Sequence, residues 1–382
     1  MTHRLFRQPL LAAGLVAASL ALSGAARADD GDSKSPFQFS GFTSIVAGRT
    51  FGSSLDANYT GAPQLRNRDC PCFIADWSNA GVYNDQLTLA PESRVGLQGR
   101  YNVNKDLYAA VQVVLRGTDN KHALQWAYAG YALSDNWEVQ VGRKRIPLYY
   151  YSDFQDIGTA YPWIGVPPEL YGWEATNYNG ASLRYKTRVA GASVATSVFG
   201  GQETVHDSPY YKLVGGNDTT ITWKNLGGAD VEVTRGPVTA RLVYMQANIG
   251  AVDAQAVIDA HAHLKAYGLA VNLDFDDWFV LSELARQTRD YTTYRFASPE
   301  FNVTAGYRLD NWTPALSYGR YREQSSDLTQ YAPSNFSRAS ATLRYDIDPV
   351  STIKVQFDRY LDLTNNMGGS SKVARVAYER SF

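Results

Sequence analysis

GRKRIPLYYYSDFQDIGTAYPWIGVPPELYGWEAT, Gly142 to Thr176, is the stretch on which the reading of the chain turns. Before it, Trp137, Val139 and Val141 alternate with Glu138 and Gln140. After it, Ala181, Leu183 and Tyr185 alternate with Ser182, Arg184 and Lys186. Both flanks read as strands with one apolar face. The stretch itself has no sustained period, and Pro147, Pro162, Pro167 and Pro168 break it. A loop this long within a compact domain is either functional, disordered or wrongly assigned. Disorder does not fit a segment whose Tyr, Trp and Phe rings demand burial. Rings mixed with Asp153, Asp156 and Glu169 need a place that is confined yet wet, and the lumen of a wide β-barrel is such a place. Residues of about 146–175 are therefore read as a constriction loop folded into a channel.

The N-terminus gives the destination. Arg4 and Arg7 precede an apolar run from Pro9 to Leu22, followed by Ala26-Arg27-Ala28. That order is a secretory signal peptide, residues 1–28, with residues 29–382 as one barrel domain. Ala25 stands where a lipid-anchored leader needs Cys. No later stretch approaches ~20 consecutive apolar residues, so no transmembrane helix is expected. Hydrophobic content of 45% and mean hydropathy of −0.31 suit a soluble protein. They equally suit a barrel in which every second strand residue faces water. The 26 Tyr and 8 Trp favour the barrel, because amphipathic rings collect at bilayer interfaces. Taking Arg4, Arg7 and Arg27 from the 36 basic residues leaves 33 against 37 acidic, a balance of −4. No polybasic segment points to nucleic acid. Cys70 and Cys72 flank Pro71 and read as a structural pair or free thiols rather than metal ligands.

Alternation recurs along the chain. Phe37, Phe39, Gly41, Thr43, Ile45 and Ala47 share one face. A second strand is read through Leu87, Leu89, Val95 and Leu97, and a third through Leu107, Ala109, Val111, Val113 and Leu115. Further apolar faces are read at Leu124, Trp126 and Tyr128, and at Ile221 and Trp223. Counting such runs to Ile353, Val355 and Phe357 gives roughly sixteen strands, an even number suited to an all-β transmembrane barrel. Short turns alternate with long loops, as barrel topology requires. Trp137, Trp278 and Trp312 each stand one step inside a short turn, where an interfacial aromatic girdle belongs.

Other motifs carry a family resemblance. Ser93-Arg94-Val95-Gly96-Leu97-Gln98-Gly99 opens a strand, and Gly142-Arg143 ends the one before the loop. Pro168-Glu169-Leu170-Tyr171-Gly172 forms the loop tip, and Asn179 to Tyr185 begins the next strand. Tyr378 and Phe382 share a face with Ala374 and Val376 in the final segment. In this order the motifs resemble those of Gram-negative outer-membrane general diffusion porins. The resemblance implies a trimeric, sixteen-stranded barrel with no cofactor and no metal. It also implies passive diffusion of small hydrophilic solutes and ions, in contact with outer-membrane lipid and lipopolysaccharide. Tyr378 and Phe382 would be the signal read by the barrel-assembly machinery, although Arg380 interrupts the apolar face.

By the same resemblance, Arg94 and Arg143 belong to a basic wall and Glu169 to the acidic loop opposite. The family often has Arg where this chain has Asn177. Strict alternation sets Arg143 with Val139 and Val141 and turns Lys144 inward, whereas a bulge at Gly142 would rotate Arg143 inward. The wet faces also carry Arg94, Arg116, Arg184, Lys186, Arg308, Arg338, Arg344 and Lys354 against Glu92 and Asp358. The candidate pore is thus a basic wall of Arg94, Arg116, Arg143, Lys144 and Arg184 facing Asp153, Asp156 and Glu169. Such a lumen favours anions mildly.

Enzyme readings lack a nucleophile beside a base. His261 and His263 are too few ligands for a structural metal site. Two alternatives stay open. One is a substrate-specific porin for sugars or organic anions, with Tyr149, Tyr150, Tyr151 and Trp163 as a slide. The other is a periplasmic β-rich sugar-binding protein.

Overall fold

Strands that bury neither face fully have two ways to satisfy their edges: pair with another sheet or close on themselves. This chain closes. The computed structural model describes residues 35–52, 55, 57–62, 65, 70–118, 120–216, 218–253 and 259–382, so the proposed leader at 1–28 lies outside the described residues. Sixteen antiparallel strands form one closed barrel. They are β1 Phe37–Phe51, β2 Arg94–Asn102, β3 Leu107–Arg116, β4 Leu124–Ala132, β5 Trp137–Arg145, β6 Asn177–Val189, β7 Ala192–Val205 and β8 Thr219–Arg235. The second half comprises β9 Val238–Asp253, β10 Asp259–Asp274, β11 Trp278–Tyr291, β12 Arg295–Tyr307, β13 Trp312–Arg322, β14 Asn335–Asp348, β15 Ser351–Asp362 and β16 Ser371–Ser381.

The seam lies at β1. Its first half pairs with β2, from Phe37↔Tyr101 to Ser44↔Arg94. Its second half pairs with β16, from Phe42↔Ser381 to Phe51↔Lys372. Backbone bonds between Gly41 and Phe382, at 2.7 and 2.9 Å, complete the ring. A Cβ on Gly41 would stand 2.6 Å from the Phe382 ring, so glycine makes room for that ring at the seam.

The outer surface is apolar. Leu316 is 69% exposed and Phe357 61%, and with Val141, Val198, Leu242 and Leu284 they belong to an exposed apolar band suited to hydrocarbon. At the short-turn end, Trp137 packs on Tyr185 at 4.6 Å, Trp278 on Phe275 at 4.3 Å and Trp312 on Tyr345 at 4.5 Å. These pairs form the aromatic girdle expected from the turn sequences.

Three details of the strand reading are corrected. β2 begins at Arg94, so Leu87 and Leu89 belong to the preceding loop. Trp126 and Tyr128 face the lumen, not the lipid. Gln125 is an extra residue there, with Gln112 paired to Trp126 and Val113 to Leu124, which reverses the phase. Ile221 and Trp223 also face inward and are fully buried. A register shift between Lys224 and Gly227, with Asn225 at φ 51°, separates them from the outward Val231 and Val233.

The long-loop end is capped. A hairpin of Phe73–Asp76 and Gly81–Tyr83 and a one-turn helix α1, Pro209–Val214, bury Phe73, Tyr83 and Leu213 against Phe336, Tyr360 and Val373. Cys70 and Cys72 are disulfide-bonded. That cross-link is tied to the rim by Cys72 N donating to Gly368 O at 2.9 Å and Thr50 Oγ1 donating to Pro71 O at 2.9 Å.

Candidate functional site

Residues 146–176 leave β5, cross the lumen and return to β6. Apart from two single 3₁₀ turns, Ser152–Phe154 and Gly158–Ala160, they have no regular structure. Buried backbone without a ladder must find its hydrogen bonds elsewhere. Cations on the wall supply them. Lys354 Nζ donates to the carbonyls of Gly158, Tyr161 and Trp163 at 2.6, 2.7 and 2.7 Å. Arg344 donates to Thr159 O at 2.9 Å and Tyr161 O at 3.1 Å. Arg241 donates to Tyr149 O at 3.0 Å and Pro147 O at 2.9 Å.

The loop carboxylates are held in the same way. Asp156 sits among three arginines: Arg116 Nη2 at 2.6 Å, Arg94 Nε at 3.9 Å and Arg145 in direct contact. Arg94 Nε also donates to Asp156 O at 2.7 Å, and its Nη2 to the Tyr161 hydroxyl at 2.9 Å. Burial pushes the Asp156 carboxyl up, but Arg116, Arg145 and Arg94 outweigh it and hold it at about 2. Glu169 receives Arg338 Nη2 at 3.0 Å and Asn302 Nδ2 at 3.0 Å. A Cβ on Gly319 would come within 1.9 Å of its carboxylate, so this part of the wall is glycine. Arg338 continues to Asp358 at 2.8 Å, and Arg375 joins Asp358 to Glu92 at 2.8 Å each.

The other flank of the loop is packed rather than paired. Tyr149, Tyr171 and Trp173 are buried with Trp223, Met245, Ile249 and Leu264 of β8 to β10. Tyr171 donates to Glu283 at 2.8 Å, and Trp163 Nε1 to Thr304 and Ser317 at 2.8 and 3.0 Å.

The remaining residues singled out from the sequence fall into two groups. Lys144 points inward, donating to Ser182 Oγ at 2.9 Å. With Arg184, Lys186 and the exposed Asp153 it borders a cavity on the short-turn side of the loop. Among the described residues, no carboxylate comes within 4 Å of Lys144 or Arg184. The ladder runs through Gly142 without a register shift, which leaves Arg143 in phase with Val139 and Val141. Arg143 pairs with Glu203 at 2.7 Å, away from Asp156. Asn177 is buried and donates to Gln125 O at 2.7 Å. Tyr378 pairs with Ile45 across the seam that Phe382 closes.

Sequence reasoning missed Arg241, Arg375 and Glu379, and it left open which of Arg143, Lys144 and Arg145 face the pore. Arg375 and Glu379 alternate with Val376 and Tyr378, so the strand period contained them. Glu379 holds Lys354 at 2.6 Å. The position of Arg145 on Asp156 had no local signal, because it depends on how the loop turns back. Among the described residues, no group of three His, Cys, Asp or Glu could hold a metal.

A family model described as Gram-negative porin matches residues 13–373. The fold is similar to the outer-membrane channel DcaP of Acinetobacter baumannii, at 14% identity and a TM-score of 0.59, covering 91% of this chain and 97% of that one. It is also similar to OmpF of Salmonella typhi in complex with daunomycin, at 13% identity and a TM-score of 0.58, covering 91% and 97%. An anion-selective porin from Comamonas acidovorans is 13% identical with a TM-score of 0.54, covering 91% and 99%. A search of curated sequences finds no match.

Proposed function

The chain belongs to the Gram-negative porin family and is an outer-membrane channel, and from that premise we propose passive diffusion of small hydrophilic solutes and ions with a mild preference for anions. Its long loops then face outside and its short turns the periplasm. The observation carrying the preference is the pair Lys144 and Arg184. They stand on the open, periplasmic side of the loop with no carboxylate within 4 Å among the described residues. Of the acids that line the same cavity, Asp230 pairs with Arg241 and Asp153 stands beyond that distance. Asp156 and Glu169, by contrast, are already neutralised by arginines. Field lines from unpaired charges concentrate in a low-dielectric channel, so these two lysine and arginine side chains weigh more than the net charge.

The proposal extends to export by residues 1–28, a homotrimer, contact with outer-membrane lipid and lipopolysaccharide, and assembly through Tyr378 and Phe382. It includes no enzymatic step. A slide of aromatic rings for sugars finds less support, because Tyr149, Tyr151 and Trp163 are buried in packing. A periplasmic binding protein does not fit an outer-membrane family. The experiment is a reversal-potential measurement on the purified channel under a KCl gradient in planar bilayers. Chloride should permeate faster than potassium. Strong potassium preference rejects the assignment of Lys144 and Arg184, and absence of conductance rejects the channel.

A further inference from the structure

Above the loop tip, toward the long-loop end, lies a small cavity whose lining differs from the rest of the lumen. Trp77 of the hairpin stands between Tyr210 of α1 and Phe336 of β14, each 6.1 Å away between ring centres. Phe336 stacks in turn on Tyr321 at 5.2 Å. The rings form a continuous arc, and Glu169, Glu300 and Glu323 complete the cavity. Among the described residues, no Lys, Arg or His lines it.

The three carboxylates are not equivalent. Glu169 is saturated by Arg338. Glu323 accepts from the Tyr321 and Tyr331 hydroxyls at 2.7 and 2.9 Å and from Ser334 N at 2.6 Å, all neutral donors. Glu300 is 4% exposed, and its Oε1 accepts from the Tyr149 hydroxyl at 2.5 Å. Its Oε2 has no hydrogen-bond partner among the described residues. A buried carboxylate oxygen left unpartnered, with no cation among the cavity's described lining residues, is costly, and the cost is relieved by a proton or by positive charge from outside. Aromatic faces select which kind, because the ring quadrupole attracts a weakly hydrated cation such as an alkylammonium.

We propose that this cavity is a recognition site for the ammonium group of an organic solute, placed where the solute enters the channel. Glu300 and Glu323 supply the countercharge, and Trp77, Tyr210, Tyr321 and Phe336 supply the π faces. The site differs from the periplasmic-side cations in sign and in depth, so it acts on one headgroup rather than on the flow of small ions. It rests on the reading of the chain as a channel.

The test uses the full-length channel in planar bilayers, with KCl on both sides. Tetramethylammonium chloride is added on the long-loop side, and uncharged tert-butanol serves as the size control. Tetramethylammonium should reduce the potassium chloride current at concentrations where tert-butanol does not. Glu300→Gln and Glu323→Gln should each raise the blocking concentration about tenfold. Tyr210→Leu, in the external helix and safe for barrel closure, should weaken block, while Tyr210→Phe should keep it. Equal block of wild type and Glu300→Gln overturns the proposal, as does absence of block or equal action of tert-butanol. A wild-type sample that carries no current in KCl overturns the channel reading itself, which is a separate outcome.

Discussion

The two flanks of the lumen loop are attached by different physics. Toward β8 to β10 the attachment is chiefly a packed cluster of Tyr149, Tyr171 and Trp173 on Trp223, Met245 and Leu264, with Arg241 of β9 alone donating to the carbonyls of Pro147 and Tyr149 among the described residues. Toward β2, β3, β5 and β14 to β16 it is a lattice of ion pairs and carbonyl contacts centred on Asp156, Lys354 and Arg375. Ring packing resists salt and acid, since it is driven by removal of apolar area from water. Charge pairing can be undone one proton or one side chain at a time. The contrast shows what most cations on the wet faces are for. A loop without secondary structure leaves its carbonyls bare, and arginine and lysine are the side chains long enough to reach them.

The sharpest way to break the contrast is to remove the centre of the charged flank. Asp156→Ala leaves Arg94, Arg116 and Arg145 facing one another without their shared carboxylate, a loss of about 3–5 kcal/mol. Chemical or thermal unfolding should register the destabilisation, and single-channel conductance should rise as the loop loosens. Unchanged stability and conductance would mean the packed flank alone holds the loop.

Acid tests the same charge reversibly. The Asp156 carboxyl titrates at about 2 in place, below the ~3.9 of a solvated aspartate. A depressed pKa contributes stability that is complete above ~4 and lost as pH falls toward 2, about 2–3 kcal/mol in all. Conductance should therefore hold steady down to about pH 4 and change below it. The Asp156→Ala channel should lose that part of the response.

A comparable effect is expected at Lys354. Lys354→Met keeps the length but leaves the buried Glu379 carboxylate without its cation and removes the donor to Trp163 O, at about 3–5 kcal/mol. Increased proteolysis within residues 146–176 in detergent would report it.

The smallest effect separates structural from permeation charges. At about 6 Å in water a unit charge is worth roughly 0.7 kcal/mol, about threefold in a permeability ratio. Lys144→Ala or Arg184→Ala should move the anion-to-cation ratio by that amount toward cations. Arg94→Ala should move it less, since Arg94 is committed to Asp156 and Tyr161. A larger shift from Arg94 would return it to the pore wall.

Barrel closure, strand number, girdle and loop could be read from period, turn chemistry and rings, because each is written locally. Two inward tryptophans were not. Trp126 and Trp223 sit next to single inserted residues, and one extra residue reverses every side chain beyond it. Asn225 left a trace, as a residue type tolerant of positive φ inside a strand. Gln125 left none. The roles of Arg94 and Arg116 were hidden for another reason. Alternation says which face a cation occupies but not which carboxylate folds over to meet it.

The loop touches β9, β11, β12, β14, β15 and β16 as well as the strands it springs from. Mechanically it is a strut inside a hoop. An empty cylinder of sheet flattens into an ellipse under lateral pressure, because only the bending of strand ladders opposes it. With a brace pinned to several points of the circumference, squeezing must stretch ion pairs and shear a packed aromatic cluster. The width of the channel and the roundness of the wall are thus set by the same side chains, and loosening the eyelet softens the whole hoop.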